Sequence, residues 1–180
     1  VTGALVVFEP VSIPQPQDIL QASYRIAETS SGAVAAAEVL CAGSGTATTG
    51  STLASLGQCV VPGGLLKAGD RIDIRFDYAH TGSAAGFAAE VMWGATALVA
   101  RSGSAGESLF TGRADASIHG AGAQWTAQSW GTSLAFAAGA GDSGETGAGG
   151  ITIGFLGRLL SAAGDSLMLR NFAVLRYPAP

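Results

Sequence analysis

The sequence predicts an all-β protein, an antiparallel β-sandwich of the jelly-roll type. From Val60 onward, apolar and polar residues alternate with a period of two, which is typical of strands with one buried face. The chain has 27 glycines in 180 residues, and many of them separate the alternating runs, where turns are expected. Helical patterning is weak, since residues 34–40 fit a short helix and a strand equally well.

The clearest strand covers residues 71–78, where four apolar side chains share one face and four charged side chains share the other. We interpret these alternating charges as cross-strand pairs rather than as a binding site. Loops are expected over residues 43–57, 101–106 and 138–150, which are rich in glycine and small polar residues. The further expected strands are residues 87–93, 96–100, 114–119, 124–129, 132–137, 151–156 and 166–177.

Two regions are expected along the chain. Residues 1–25 contain Pro10, Pro14 and Pro16 and predict an extended arm or attachment segment, with an edge strand over residues 5–8. Residues 26–180 are predicted to form the jelly-roll domain. A Gly-Asp pair precedes a strand twice, at residues 69–70 and 164–165, which indicates two equivalent corners of a sandwich.

The composition argues against several partners. The net charge is -4 and the arginines are scattered, so the sequence shows no basic patch of the kind that binds nucleic acid. Its longest weakly polar run, residues 87–100, is shorter than the roughly 20 apolar residues of a spanning helix, so we expect no membrane insertion. The low charged fraction of 12% favours burial of surface between subunits. Cys41 and Cys59 are able to pair, but free, buried thiols are the expectation.

We expect neither an enzyme nor a cofactor. Residues 141–144 match the tetrapeptide around the nucleophile of trypsin-like proteases, and His80 and Asp115 precede Ser143 in the matching order. The short interval between Asp115 and Ser143 and the low complexity of the stretch favour a chance match. Ser166, in a Gly-Asp-Ser-Leu block, is better explained by a turn that enters the last strand. No histidine or cysteine has partners at metal-ligand spacing, so no metal is expected.

Aromatic side chains are the remaining candidates for a site, because exposed rings stack on sugars. Successive side chains of a strand point to opposite faces, so odd-numbered and even-numbered positions (their parity) mark the two faces. Trp93 has the same parity as its apolar neighbours and is expected in the core. Trp125 and Trp130 differ in parity and should face opposite sides, so one of them should be exposed. The expected recognition surface comprises residues 102–112, 120–130 and 139–150. The candidate glycan-binding residues are Trp125, Trp130, Gln128, His119, Asp142 and Glu145.

Residues 60–76 resemble a recurring pattern in virion proteins of tailed phages. In that pattern an apolar strand ends at a proline turn, and a leucine, a Gly-Asp and an alternating strand follow, here at Pro62, Leu65 and residues 69–76. Residues 91–98 are similar to the hairpin of the same proteins, and residues 164–169 and 174–178 are similar to their ending. The family comprises jelly-roll domains at the tips of tail fibres, head fibres and spikes, including those of gene transfer agents.

The resemblance covers about residues 60–180 and carries no catalytic residues. It implies a homotrimer that assembles onto a virion in the bacterial cytoplasm and acts extracellularly by binding host-surface glycan. The arm over residues 1–25 would then contact other virion proteins. Besides a hydrolase that uses Ser143 or Ser166, two non-enzymatic alternatives remain: a carbohydrate-binding module of a secreted protein, which would be monomeric, and a purely structural virion decoration protein.

Overall fold

The computed structural model describes residues 36–161 and 164–180, so the predicted arm and its edge strand lie outside the described residues. Within the described ranges the chain forms eleven strands and no helix. The strands are β1 (Glu38–Gly43), β2 (Ala47–Thr48), β3 (Ala54–Val61), β4 (Arg71–Thr81), β5 (Phe87–Trp93), β6 (Thr96–Gly103), β7 (Leu109–His119), β8 (Gly122–Gly131), β9 (Ala137–Ser143), β10 (Ile151–Leu159) and β11 (Ser166–Tyr177).

The strands form two antiparallel sheets. The seven-stranded sheet has the order β1-β11-β4-β7-β8-β9, and β2 also pairs with β11. The four-stranded sheet has the order β3-β10-β5-β6. Strands β7 and β10, one in each sheet, alternate buried with more exposed residues along their length, so each sheet turns one face to the interior and one outward.

The inner faces of both sheets contribute to one apolar core. Aromatic rings fill its centre, and Phe76, Tyr78 and Phe110 lie within 6.0 Å of one another between ring centroids. The Tyr78 hydroxyl lies 3.3 Å from the carbonyl oxygens of Glu90 and Leu156 on the opposite sheet, so this buried polar atom has partners. Burial raises the pKa of Tyr78 far above its ordinary value.

Several predicted boundaries are wrong, and the errors lie where side chains are small. Residues 138–150 were expected to be a loop, but β9 (Ala137–Ser143) pairs with β8 without a bulge. Residues 132–137 were expected to be a strand, but residues 132–136 form the connection between β8 and β9. Strands of alanine and glycine have no apolar–polar alternation, so tertiary pairing sets them rather than any local pattern. The expected loop over residues 43–57 also contains β2 and the start of β3.

The expectation of free thiols is wrong, because Cys41 and Cys59 form a disulfide. Their Cα atoms are 5.7 Å apart, within the usual range for a disulfide. Cys41 lies in β1 and Cys59 in β3, so the bond joins an edge of the seven-stranded sheet to an edge of the other. Sequence spacing alone carries no information on such a contact between sheets.

The two Gly-Asp pairs form similar corners, as the sequence predicts. Gly69 and Gly164 both have positive φ, 95° and 75°, which suits glycine. Each following aspartate is buried and accepts backbone hydrogen bonds: Asp70 from Lys67 and Ala179, and Asp165 from Ala84 and Ala85. In both corners the carboxylate therefore holds the turn against a second segment of the chain.

Candidate functional site

The outer face of the seven-stranded sheet presents a grid of polar side chains. Strands β4, β7 and β8 are paired in register, and outward side chains form rows across them. Cross-strand neighbours on one face lie about 5 Å apart. From one end of the sheet to the other, the rows are Asp77–Thr111–Trp130, Arg75–Arg113–Gln128, Asp73–Asp115–Thr126 and Arg71–Ser117–Gln124.

Trp130 lies at the end of this grid and is 41% exposed, which is unusual for so large an apolar ring. It borders a shallow groove of about 300 Å³, here called the Trp130 groove, with polar side chains from β4 and β7 as its other walls. These side chains are Arg75, Asp77, Thr111 and Arg113. The groove thus combines one aromatic ring with charged and neutral hydrogen-bonding groups within reach of a single ligand.

Hydrogen bonds hold the side chains of the Trp130 groove in place. The Thr111 hydroxyl donates to the Asp77 carboxylate and lies 3.1 Å from the Phe76 carbonyl oxygen. The Arg113 Nε donates to the Gln128 Oε1 at 3.3 Å. These contacts preorganise the polar walls, which reduces the entropy lost when a ligand binds.

Ion pairs neutralise part of the grid. The Arg71 Nε donates to the Asp115 Oδ1 at 2.9 Å, which is the cross-strand pairing expected from the alternating charges. Arg75 instead pairs within its own strand, with its Nη2 2.8 Å from the Asp73 Oδ2. These hydrogen bonds raise the pKa of both arginines. Arg113 has no carboxylate partner among the described residues.

The structure separates the two tryptophans as their parity requires. Trp125 points inward from β8, is half-buried and packs against the core, whereas Trp130 points outward from the same strand. The Trp125 ring lies over Gly141 on the neighbouring strand β9, and its buried Nε1 has no hydrogen-bond partner. Trp93 is 1% exposed and belongs to the core, as predicted.

The other candidate residues divide between the two ends of the sheet. Gln128 adjoins Trp130 on the outward face of β8. His119 and Asp142 lie at the opposite end, since His119 pairs with Gly122, eight positions from Trp130, or about 27 Å along the strand. Glu145 holds a turn of the other sheet, where its Oε1 accepts a hydrogen bond of 2.7 Å from the Ala95 amide. One compact site therefore includes Trp130 and Gln128 and leaves out His119, Asp142 and Glu145.

Sequence reasoning missed Arg75, Asp77, Thr111 and Arg113 as neighbours of Trp130. The available signal was their outward parity on β4 and β7, but finding the site also required knowing that these strands pair with β8. The expected recognition surface over residues 102–112 and 120–130 is mostly strand rather than loop, with β7 and β8 covering much of it. The candidate site is thus a sheet face rather than a cluster of loops.

The protease-like residues do not come together. His80 points inward from β4. Asp115 is the cross-strand neighbour of Asp73, which lies seven positions from His80, or about 24 Å along β4. The hydroxyl of Ser143 is 3.0 Å from that of Thr96. Among residues 36–161 and 164–180, no group of three or more histidine, cysteine, aspartate or glutamate side chains is placed to hold a metal ion. The same ranges contain no helix with the length and apolar character needed to cross a bilayer.

The fold and site define an all-β protein of two antiparallel sheets with an aromatic and polar outer face. The sequence matches no protein-family profile and no curated protein. The solved structures that are similar in part include a lectin-like protein and a phage module. Arcelin-5, a lectin-like defense protein from Phaseolus vulgaris, has a TM-score of 0.41 and 6% identity over 65% of this chain and 75% of that one. The CBM2 module of the evolved Dit of Lactobacillus casei BL23 phage J-1 has a TM-score of 0.37 and 12% identity over 74% of this chain and 76% of that one. Scores this low assign no function.

Proposed function

We propose that this protein is a non-enzymatic fibre or spike domain of a phage-like particle, and that it binds host-surface polysaccharide through the outer face of the seven-stranded sheet. Binding is centred on the Trp130 groove. Each site binds weakly, and several copies in one assembly raise the avidity. In this proposal the protein is assembled onto the particle and then acts outside the cell, where the host surface is reached.

The exposed Trp130 ring, with Arg113, Gln128 and Asp77 beside it, carries the proposal. Sugar rings have an apolar face that stacks on indole and hydroxyl groups that bond to polar side chains. A shallow, open groove on a sheet suits a polymer that extends beyond both ends of the site. It suits a small, enclosed substrate poorly, since such ligands are normally buried over most of their surface.

The strand order supports a jelly roll as the finer description of the sandwich. Eight strands divide into the sets β1-β11-β4-β7 and β3-β10-β5-β6, which is the arrangement of two four-stranded sheets in a jelly roll. The hairpin of β8 and β9 then extends the first set at its β7 edge. In this description the hairpin supplies Trp130 and widens the face that binds polysaccharide.

Location and assembly are supported by two features of the chain. The disulfide between Cys41 and Cys59 suits a protein that acts in an oxidising, extracellular environment. The charged fraction of 12% lowers the cost of packing subunits against each other, in keeping with a homotrimer. The resemblance of residues 60–180 to phage fibre and spike domains supports a location on the virion, with residues 1–25 as the attachment arm.

The test of the function is an array of purified bacterial capsular and lipopolysaccharide glycans, probed with the labelled full chain. The proposal predicts binding to a subset of glycans, with no shortening of the bound polymer on gel filtration. Absence of binding to every glycan on the array, with the protein folded and the label intact, would refute polysaccharide recognition and favour a purely structural decoration protein. Cleavage of the polymer would refute the non-enzymatic role.

The test of the assembly is the solution mass, measured by light scattering on a size-exclusion column. The fibre or spike proposal predicts a stable trimer of the 17.8 kDa chain. A monomer that binds glycan would contradict the trimer and favour the carbohydrate-binding module. The two measurements therefore separate the three candidate functions.

A further inference from the structure

A second depression lies on the same sheet face as the Trp130 groove. It has a volume of about 500 Å³ and is here called the Met168 hollow. Its floor is a row of apolar side chains that crosses β2, β11, β4 and β7 in register: Ala47, Met168, Ala79 and Leu109. Met168 and Leu109 are each more than one-third exposed, so the row is open to solvent.

The two depressions adjoin each other on the sheet face. Leu109 in the hollow and Thr111 in the groove lie two residues apart on the outward face of β7. Leu109 and Trp130 are diagonal neighbours on β7 and β8, a separation of about 7–8 Å that an indole ring spans. From β2 to β8 the combined surface crosses four strand spacings, or about 19 Å. It therefore has the length for several sugar units of one extended chain.

Each depression contains one arginine that lacks a carboxylate partner among the described residues: Arg113 in the groove and Arg170 in the hollow. The other two arginines of this face, Arg71 and Arg75, are both paired with aspartates. Asp77 is the carboxylate of the groove, and it already accepts a hydrogen bond from Thr111. Two cations thus remain available on an exposed apolar and aromatic face, although the chain has a net charge of -4.

The spacing of these cations suits a polymer with repeated anionic groups. In the strand register, Arg170 lies next to Asn171, whose Cα partner on β4 is Asp77. The Cα partner of Arg113 on β4 is Arg75. Two strand spacings and two to three residues along the strands separate them, which is about 13 Å between Cα atoms. A guanidinium group binds carboxylate and phosphate groups through two parallel hydrogen bonds, so each arginine is able to hold one acidic sugar.

We infer that the surface formed by the Trp130 groove and the Met168 hollow binds an acidic polysaccharide, with Arg113 and Arg170 each contacting a carboxylate or phosphate of the chain. This inference rests on the proposed polysaccharide function and narrows its ligand class. Trp130 lies on β8, beyond Arg113 on β7, so it stacks on a sugar next to the unit that Arg113 contacts. The row of Met168, Ala79 and Leu109 packs on apolar sugar faces. Neutral polymers of the same backbone bind more weakly because they leave both cations without a partner.

The experiment uses size-defined fragments of alginate, hyaluronate and polysialic acid, each compared with its own carboxyl-reduced form, and neutral dextran and mannan. Affinities for the full chain are measured by isothermal titration calorimetry at two salt concentrations. We expect at least one acidic polymer to bind, with about tenfold or greater loss on carboxyl reduction and a marked loss at high salt. The Arg113→Gln/Arg170→Gln double variant should lose about 100-fold for that polymer.

Arg158 provides the matched control, because it is exposed, lacks a carboxylate partner among the described residues and points outward from β10 on the opposite sheet. Arg158→Gln removes the same charge and should leave the affinity unchanged, and thermal melts check that all variants are folded. Equal binding of acidic and reduced polymers, binding to neutral polymers alone, or an unaltered double variant would overturn the acidic ligand and leave the proposed function standing. No binding to any of these polymers would overturn the acidic ligand, and no binding on the glycan array as well would overturn the proposed function.

Discussion

Loss of the disulfide between Cys41 and Cys59 should cost the domain a large share of its stability. The bond closes a loop with a sequence separation of 18 and joins edge strands of the two sheets. Loop-closure entropy for a loop of this length corresponds to about 3 kcal/mol at 25 °C. With a urea m-value of about 2 kcal/mol/M, the unfolding midpoint should fall by about 1.5 M.

The assay is urea denaturation followed by tryptophan fluorescence, with the oxidised protein, the reduced protein and the Cys41→Ala/Cys59→Ala variant. The two single variants are the control, because each also breaks the bond. Their losses should not add, so the double variant should lose about as much as either single variant and not twice as much. A midpoint within about 0.3 M of the oxidised protein in both the reduced and the doubly substituted chain would refute the reasoning.

The remaining predictions concern packing and pH. A Cβ at Gly141 would lie 2.9 Å from the Trp125 ring, whereas one at Gly139 would lie 3.5 Å from it. Gly141→Ala should therefore destabilise the fold by about 1–2 kcal/mol and Gly139→Ala by far less. Equal melting temperatures of the two variants would contradict this account of β9. For Glu107, burial raises the pKa, but hydrogen bonds from Ser133 and Thr132 outweigh it, so the net shift is downward. For Asp165, the Ala85 amide is the main cause of a lowered pKa. Since both folded-state pKa values lie below the unfolded ones, their stabilisation is full above about pH 5 and is lost as the pH falls below about 4; a urea midpoint that is flat from pH 7 to pH 3 would contradict it.

The all-β class followed from the sequence because long strands with one buried face carry alternation. Strand β11 matches its predicted bounds, and β4 (Arg71–Thr81) starts where predicted and extends three residues further. Strand β9 was missed because alanine and glycine give no such signal, and its place depends on pairing with β8. The disulfide was missed for a related reason: it joins strands of different sheets, and their proximity is a property of the topology.

The site was predictable only in part. Parity within one strand required Trp125 and Trp130 to face opposite sides, and the structure places Trp130 outward. Parity does not reveal which strands adjoin β8, so the Arg113 and Asp77 side chains beside Trp130 stayed hidden until the register was known. Because the register is not visible in the sequence, nothing there excluded His119 and Glu145 from the site, although the fold places them elsewhere.

The most direct test of the central claim is the affinity of the Trp130→Ala variant for whichever polysaccharide the wild-type chain binds. The control is Val60→Ala, which removes a 60% exposed apolar side chain from the outer face of the opposite sheet. Loss of one stacking ring should weaken binding by about 10-fold or more, while the control should bind as the wild type does. Wild-type affinity in Trp130→Ala, with the fold intact, would contradict the assignment of this sheet face as the binding site.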